Sequence, residues 1–238
     1  TDIKTEVGYC PNIRGGANTV SAAFSISRNT YKAIAVWEVA GLDASAPFTS
    51  GEYAAQRQLS EFSPSSGATP TLADANSVAI GFCTSTHSEV GTGNLSPGGG
   101  FSIGGDGSSD GFWDFTHAGS ALAMLSFKVL SSTAAVSADF TAANDTNYNT
   151  HVAVFKRNPV GSMQGVAALA FGASGAIVGP VPLLGSKLVN SSGPASLDND
   201  YAPATGSTLV VVIGYWHSTG PPTLTDDRLV VSGRTVAG

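Results

Sequence analysis

Val20, Ala22 and Phe24 alternate with Ser21, Ala23 and Ser25, a period of two that gives an extended strand one apolar face and one face of small, mostly polar residues. After a polar turn around Arg28-Asn29-Thr30, residues 32–39 are largely apolar and β-branched at alternate positions, so the pair reads as an antiparallel hairpin, block a. The pattern is written again as Val136-Ser137-Ala138-Asp139-Phe140-Thr141, with Tyr148 and Val152-Ala153-Val154-Phe155 standing where Tyr31 and Ile34-Ala35-Val36-Trp37 stood. A second pattern, block b, is nearly continuously apolar. It runs Val78-Ala79-Ile80-Gly81-Phe82-Cys83-Thr84-Ser85-Thr86 and returns as Val211-Val212-Ile213-Gly214-Tyr215-Trp216-His217-Ser218-Thr219. Such runs predict central strands covered on both faces. The order along the chain is a, b, a, b, an internal self-similarity that bears on architecture before any single motif does.

The one stretch with helix-forming composition is residues 51–59, where Glu52, Ala54, Ala55 and Gln56 predict a helical turn. Elsewhere, short strand-like runs alternate with Gly, Ser, Pro and Asn. The expected class is all-β: a two-sheet antiparallel β-sandwich, jelly-roll-like, with little helix. One domain spanning 1–238 and made of pseudo-repeats at about 1–120 and 121–238 accommodates the pattern. The Gly-rich residues 91–111 are expected as surface loops at one rim.

Composition narrows the function classes. Charged residues are 12% of the chain, against roughly 25% in average soluble proteins, while 42% are apolar, so the chain folds and coats itself with Ser and Thr. With a net charge of −6 and 11 unclustered Lys and Arg residues, nucleic acid is not an expected partner. Residues 159–186 carry no charge, but Gly172, Gly175, Gly179, Pro180 and Pro182 break the run into short strands, so no membrane partner is expected. The residues from Thr1 do not follow a secretory signal pattern. Cys10 and Cys83 are compatible with one disulfide or with two buried thiols.

Three stretches carry a resemblance. Leu209-Val210-Val211-Val212-Ile213-Gly214-Tyr215-Trp216, Tyr9-Cys10-Pro11-Asn12, and Ala35-Val36-Trp37-Glu38-Val39-Ala40-Gly41 are similar to segments of β-sandwich modules in bacteriophage virion proteins and bacterial surface proteins of unassigned function. The resemblance implies a β-sandwich and transfers no active site. In those modules a b-type strand precedes block a, the reverse of the order here. Joined tail to head, Arg234-Thr235-Val236-Ala237-Gly238 would run into residues 1–10 as one hairpin arm, with a seam near residues 158–164, where Gly161-Ser162-Met163 looks like a linker and a start residue. Three accounts follow: a circular permutant, a polymer in which one subunit's last b strand completes the next subunit's sheet, or two ordinary a-b units.

Candidate chemistry is sparse. His87, His117, His151 and His217 show no metal-ligand spacing, and no Gly-x-Ser-x-Gly elbow or phosphate loop is present. Glu38 and Glu52 are the one imaginable glycosidase pair, and Glu38, beside Trp37 in a strand, reads better as a solvated or paired residue. Asp106, Asp110 and Asp114 place carboxylates on a Gly-rich loop, a candidate calcium site and the single cofactor suggested. Phe112 and Trp113, with His217 at the end of a b strand, are the candidate ligand-binding residues, because exposed rings stack on sugar faces. The expectation is a non-enzymatic structural or surface protein of a virion, cell surface or extracellular assembly. It would act through self-association, or association with other structural subunits, and through rim loops. The alternative is a carbohydrate-binding sandwich that takes surface glycans with calcium.

Overall fold

A computed structural model describes residues 3–11, 19–23, 30–43, 45–85, 95–103, 112–114, 122–143, 146–157, 183–191, 195–198, 208–216, 223–226 and 232–235. The regular structure among the described residues is entirely β, in antiparallel sheets, as an all-β sandwich. The chain divides into two compact units, one formed by residues 1–39 and 183–238 and the other by residues 40–182. The unit boundaries differ from pseudo-repeats meeting near residue 120. The seam proposed at 158–164 lies outside the described residues.

The continuous unit holds β4 (Phe48–Glu61), β5 (Ser77–Ser85), β6 (Leu95–Pro97), β7 (Ser102–Ile103), β8 (Phe112–Asp114), β9 (Leu122–Leu130), β10 (Phe140–Ala142) and β11 (Thr146–Lys156). Its main sheet has the order β4-β11-β5-β9-β7, with β8 also on β9. Block b therefore forms a central strand. Val78, Ala79, Ile80, Phe82 and Cys83 are all buried, so β5 is covered on both faces, as its unbroken apolar run requires. Facing the sheet is a second layer, in which β10 pairs with β6 on one side and lies along residues 62–66 on the other, through Phe140 N–H to Pro64 O (2.8 Å), Ala142 N–H to Phe62 O (2.7 Å) and a bridge between Ser65 and Asp139. Ala79, Cys83, Met124, Val152 and Val154 of the sheet pack on Phe101, Val136, Ala138 and Phe140 of that layer, which forms the core.

The discontinuous unit holds β1 (Ile3–Cys10), β2 (Thr19–Ala23), β3 (Thr30–Val39), β12 (Leu183–Ser191), β13 (Ala195–Asp198), β14 (Thr208–Trp216), β15 (Thr223–Asp226) and β16 (Ser232–Thr235). Its sheets have the orders β12-β3-β14-β1-β16 and β13-β2-β15. The second b block, β14, is again central, with β1 on one side (Ile3 opposite Trp216, Cys10 opposite Leu209) and β3 on the other. β16 pairs with β1, Glu6 opposite Thr235 and Tyr9 opposite Ser232. Trp37, Val36 and Leu209 are fully buried.

Two expectations are corrected. Residues 51–59 are not helical but lie within β4, because pairing with β11 along Tyr53 to Gln58 satisfies the backbone and outweighs the local preference of Ala, Gln and Glu. Block a is not a hairpin. Its first arm (β2, β10) and second arm (β3, β11) enter different sheets in both units, so the chain changes sheet between the two arms of each block. Cys10 and Cys83 are both buried and are not joined in a disulfide.

Candidate functional site

Phe112, Trp113 and Asp114 form β8 and pair with Met124, Ala123 and Leu122 of β9. Further along the same side of β9, Ser102 and Ile103 of β7 pair with Phe127 and Ser126. The structure thus brings the candidate aromatic pair and one of the candidate calcium ligands together on the outer edge of the main sheet. Asp106, Asp110 and His217 lie outside the described residues. Among the described residues no group of three or more His, Cys, Asp or Glu side chains is arranged to hold a metal ion.

The described part of the rim at this edge is built by residues 98–101, within the Gly-rich stretch 91–111, together with Lys128 and Asp139, which the sequence pattern did not single out. Gly98 to Phe101 form a tight turn closed by Phe101 N–H donating to Gly98 O (3.0 Å). Gly99 and Gly100 both have positive φ, 61° and 79°, the left-handed geometry that glycine adopts without a Cβ clash. Lys128 Nζ donates to Gly99 O (2.6 Å) and stands 5.8 Å from the centroid of the Phe101 ring. Asp139 ties the turn to the second layer. Its carbonyl accepts from Gly98 N–H (2.7 Å), and its carboxylate accepts from the hydroxyls of Ser65 (2.5 Å) and Ser137 (2.9 Å). The run Gly98-Gly99-Gly100 was the available signal for this turn, whereas partners of Asp139 more than 70 residues away in sequence, such as Ser65, left none.

The buried titratable groups of the continuous unit serve the scaffold. His151, on β11 opposite Phe82, is 5% exposed, and its Nδ1 has no hydrogen-bond partner among the described residues. Burial disfavours the imidazolium and pulls its pKa down to about 4, so the ring is neutral at pH 7. Burial likewise pushes the Cys83 thiol up to about 12, against a smaller opposing effect of its contact with Thr150 Oγ1 at 3.7 Å. A thiol held protonated in this way is a poor nucleophile. Glu52 is buried, and its Oε1 accepts from Ala73 N–H at 2.6 Å, fastening β4 to the segment that follows it.

At the opposite margin of the sheet, β4 is an edge strand with β11 as its neighbour. Its register is interrupted between Thr146 and Tyr148 and again between Ala153 and Phe155, and Ser60 adopts φ 56° near its end. Leu59 and Phe62, on either side of that kink, are exposed apolar side chains, 60% and 52% accessible. Bulges and kinks of this kind shorten the regular stretch of an edge and limit indiscriminate pairing.

No protein-family model matches the chain, and no curated protein matches it.

Proposed function

We propose that this chain is a non-enzymatic structural protein of a virion, cell surface or extracellular assembly, acting by self-association. The observation that supports the reading best is the end of β4, where Leu59 and Phe62 project from an edge strand at the kink of Ser60. Large apolar side chains exposed beside the end of a strand offer a second subunit a surface that is desolvated on contact. The partner argued for is a second copy. A low-charge surface, with 12% charged residues, adds little repulsion to copies packed side by side. The virion or surface setting rests on the resemblance of residues 9–12, 35–41 and 209–216 to such modules.

Light scattering and electron microscopy of the concentrated protein test the reading. Ordered assemblies are expected, and exchanging Leu59 and Phe62 together for Ser is expected to weaken association at least tenfold while leaving the fold intact. A protein that stays monomeric at every concentration overturns it.

A second reading, glycan binding with calcium, is favoured by one observation: Phe112, Trp113 and Asp114 share the outer edge beside β9. Binding on a glycan array that is lost on Trp113→Ala and on chelation of divalent ions would establish it, and silence on the array would remove it.

A further inference from the structure

The discontinuous unit has a property that its partner unit lacks. Each of its strand pairs joins one segment, residues 3–39, to the other, residues 183–235. β1 lies between β14 and β16, β3 between β12 and β14, and β2 between β13 and β15. Among the described residues, no two strands of the first segment pair with each other, and no two of the second do. Each segment therefore offers only edges to the other. Within the chain the two are connected through residues 40–182, which form a unit of their own.

The continuous unit shows the same strand order without a break. β4-β11-β5-β9-β7 corresponds position by position to β12-β3-β14-β1-β16. The second layers match as well, since β10 lies between β6 and residues 62–66 as β2 lies between β15 and β13. The correspondence is of strand order and not of register. Val154 stands opposite Ala79 while its block a counterpart Val36 stands opposite Val211, one residue off in the block b alignment.

We propose that residues 3–39 are an exchangeable strand donor whose partner is a second copy of this chain, so that one copy's β1, β2 and β3 complete the β12–β16 half of another. The proposal deepens the self-association reading and rests on it. With no internal strand pairs among the described residues, each segment leaves its strand N–H and C=O groups to water until the other half supplies the ladder. The same ladder is available from a neighbour as from the chain itself. Closure within one chain is favoured by an effective concentration on the order of 1 mM set by the tether. Packed side by side in an assembly, chains reach local concentrations of that order, and exchange then competes.

Cys10 and Leu209 stand directly opposite each other on β1 and β14, both buried. Full-length Leu209→Cys is unfolded, refolded over a range of concentrations, oxidised and run on a non-reducing gel. A second variant, Val7→Cys with Val212→Cys in a Cys10→Ala background, tests the other type of ladder position, because the two alternating types hold their side chains at different separations. Interchain links are expected to rise from about 0.1 per cent near ~1 µM to about half of all links near ~1 mM. Intrachain links alone at every concentration, or no link in either variant, overturn the proposal. Assemblies seen by microscopy that carry only intrachain links would remove exchange and leave self-association standing. Linked dimers that never form larger order would keep exchange and remove the ordered assembly.

Discussion

His151 shows how a single residue is governed by what surrounds it. A neutral imidazole inside the sheet costs less than a charged one, which loses its hydration, and this is why its pKa falls from 6.5 to about 4. The unfolded chain then binds a proton between pH 6.5 and about 4 that the folded chain does not. Stability contributed by this group is present above pH 6.5, is lost as pH falls through that window, and levels off below about pH 4. The size of the effect is about 3 kcal/mol, on the scale of about 1.4 kcal/mol for each pH unit. Replacing His151 by Leu, which keeps an apolar neighbour for Phe82, is expected to flatten the thermal unfolding midpoint between pH 4 and 6.5 relative to the parent. Parallel curves for the two proteins would place the pH dependence of this window on other groups; the Asp43 carboxyl, held below its ordinary value of 3.8 by hydrogen bonds from Ser45 and Ala46, loses its contribution only at lower pH.

Among the elements, β5 repays attention because a glycine interrupts an otherwise bulky strand. A Cβ on Gly81 would come within 2.6 Å of the Ala138 Cβ and 2.9 Å of Ser126 Oγ, so the second layer approaches the sheet at this point more closely than any side chain permits. Gly81→Ala is expected to cost about 1–3 kcal/mol by overpacking, measured as a lower urea midpoint with an unchanged slope. An unaltered midpoint would mean that the layers separate freely. The centrality of β5 and β14 was legible in the sequence, since a strand covered on both faces needs an unbroken apolar run. The destinations of the block a arms were not. Arg28-Asn29-Thr30 and Asn144-Asp145-Thr146-Asn147 signal a reversal, but the same turn chemistry serves a hairpin and a corner, and the partners of β2 and β3 come from residues 183–226. The edge position of Trp113 was equally hidden. It depends on β9 accepting β5 on one side and both β7 and β8 on the other.

For the whole molecule, the two units predict different patterns of cooperativity from the same strand order. In the continuous unit every described ladder lies within one uninterrupted stretch of chain, β5 pairing with β9 and β11 and β9 also with β7, so local damage leaves most of its ladders in place. In the discontinuous unit, β1 separates β14 from β16 and pairs with both, and Val7 stands opposite Val212 on one side and Arg234 on the other. Proline at position 7 removes a backbone donor and restricts the backbone in a strand that is flanked on both sides. Since among the described residues neither segment of this unit has strand pairs of its own, damage at β1 leaves no ladder internal to either segment to fall back on. Hydrogen exchange of Val7→Pro is therefore expected to show lost protection across residues 3–39 and 183–235 together, while residues 48–85 and 122–156 keep theirs. Protection lost only in β1 and the facing stretches of β14 and β16 would show that β3, β12 and β2, β13 and β15 hold together without it. The two segments would then be parts of a modular sheet instead of halves that must close on each other.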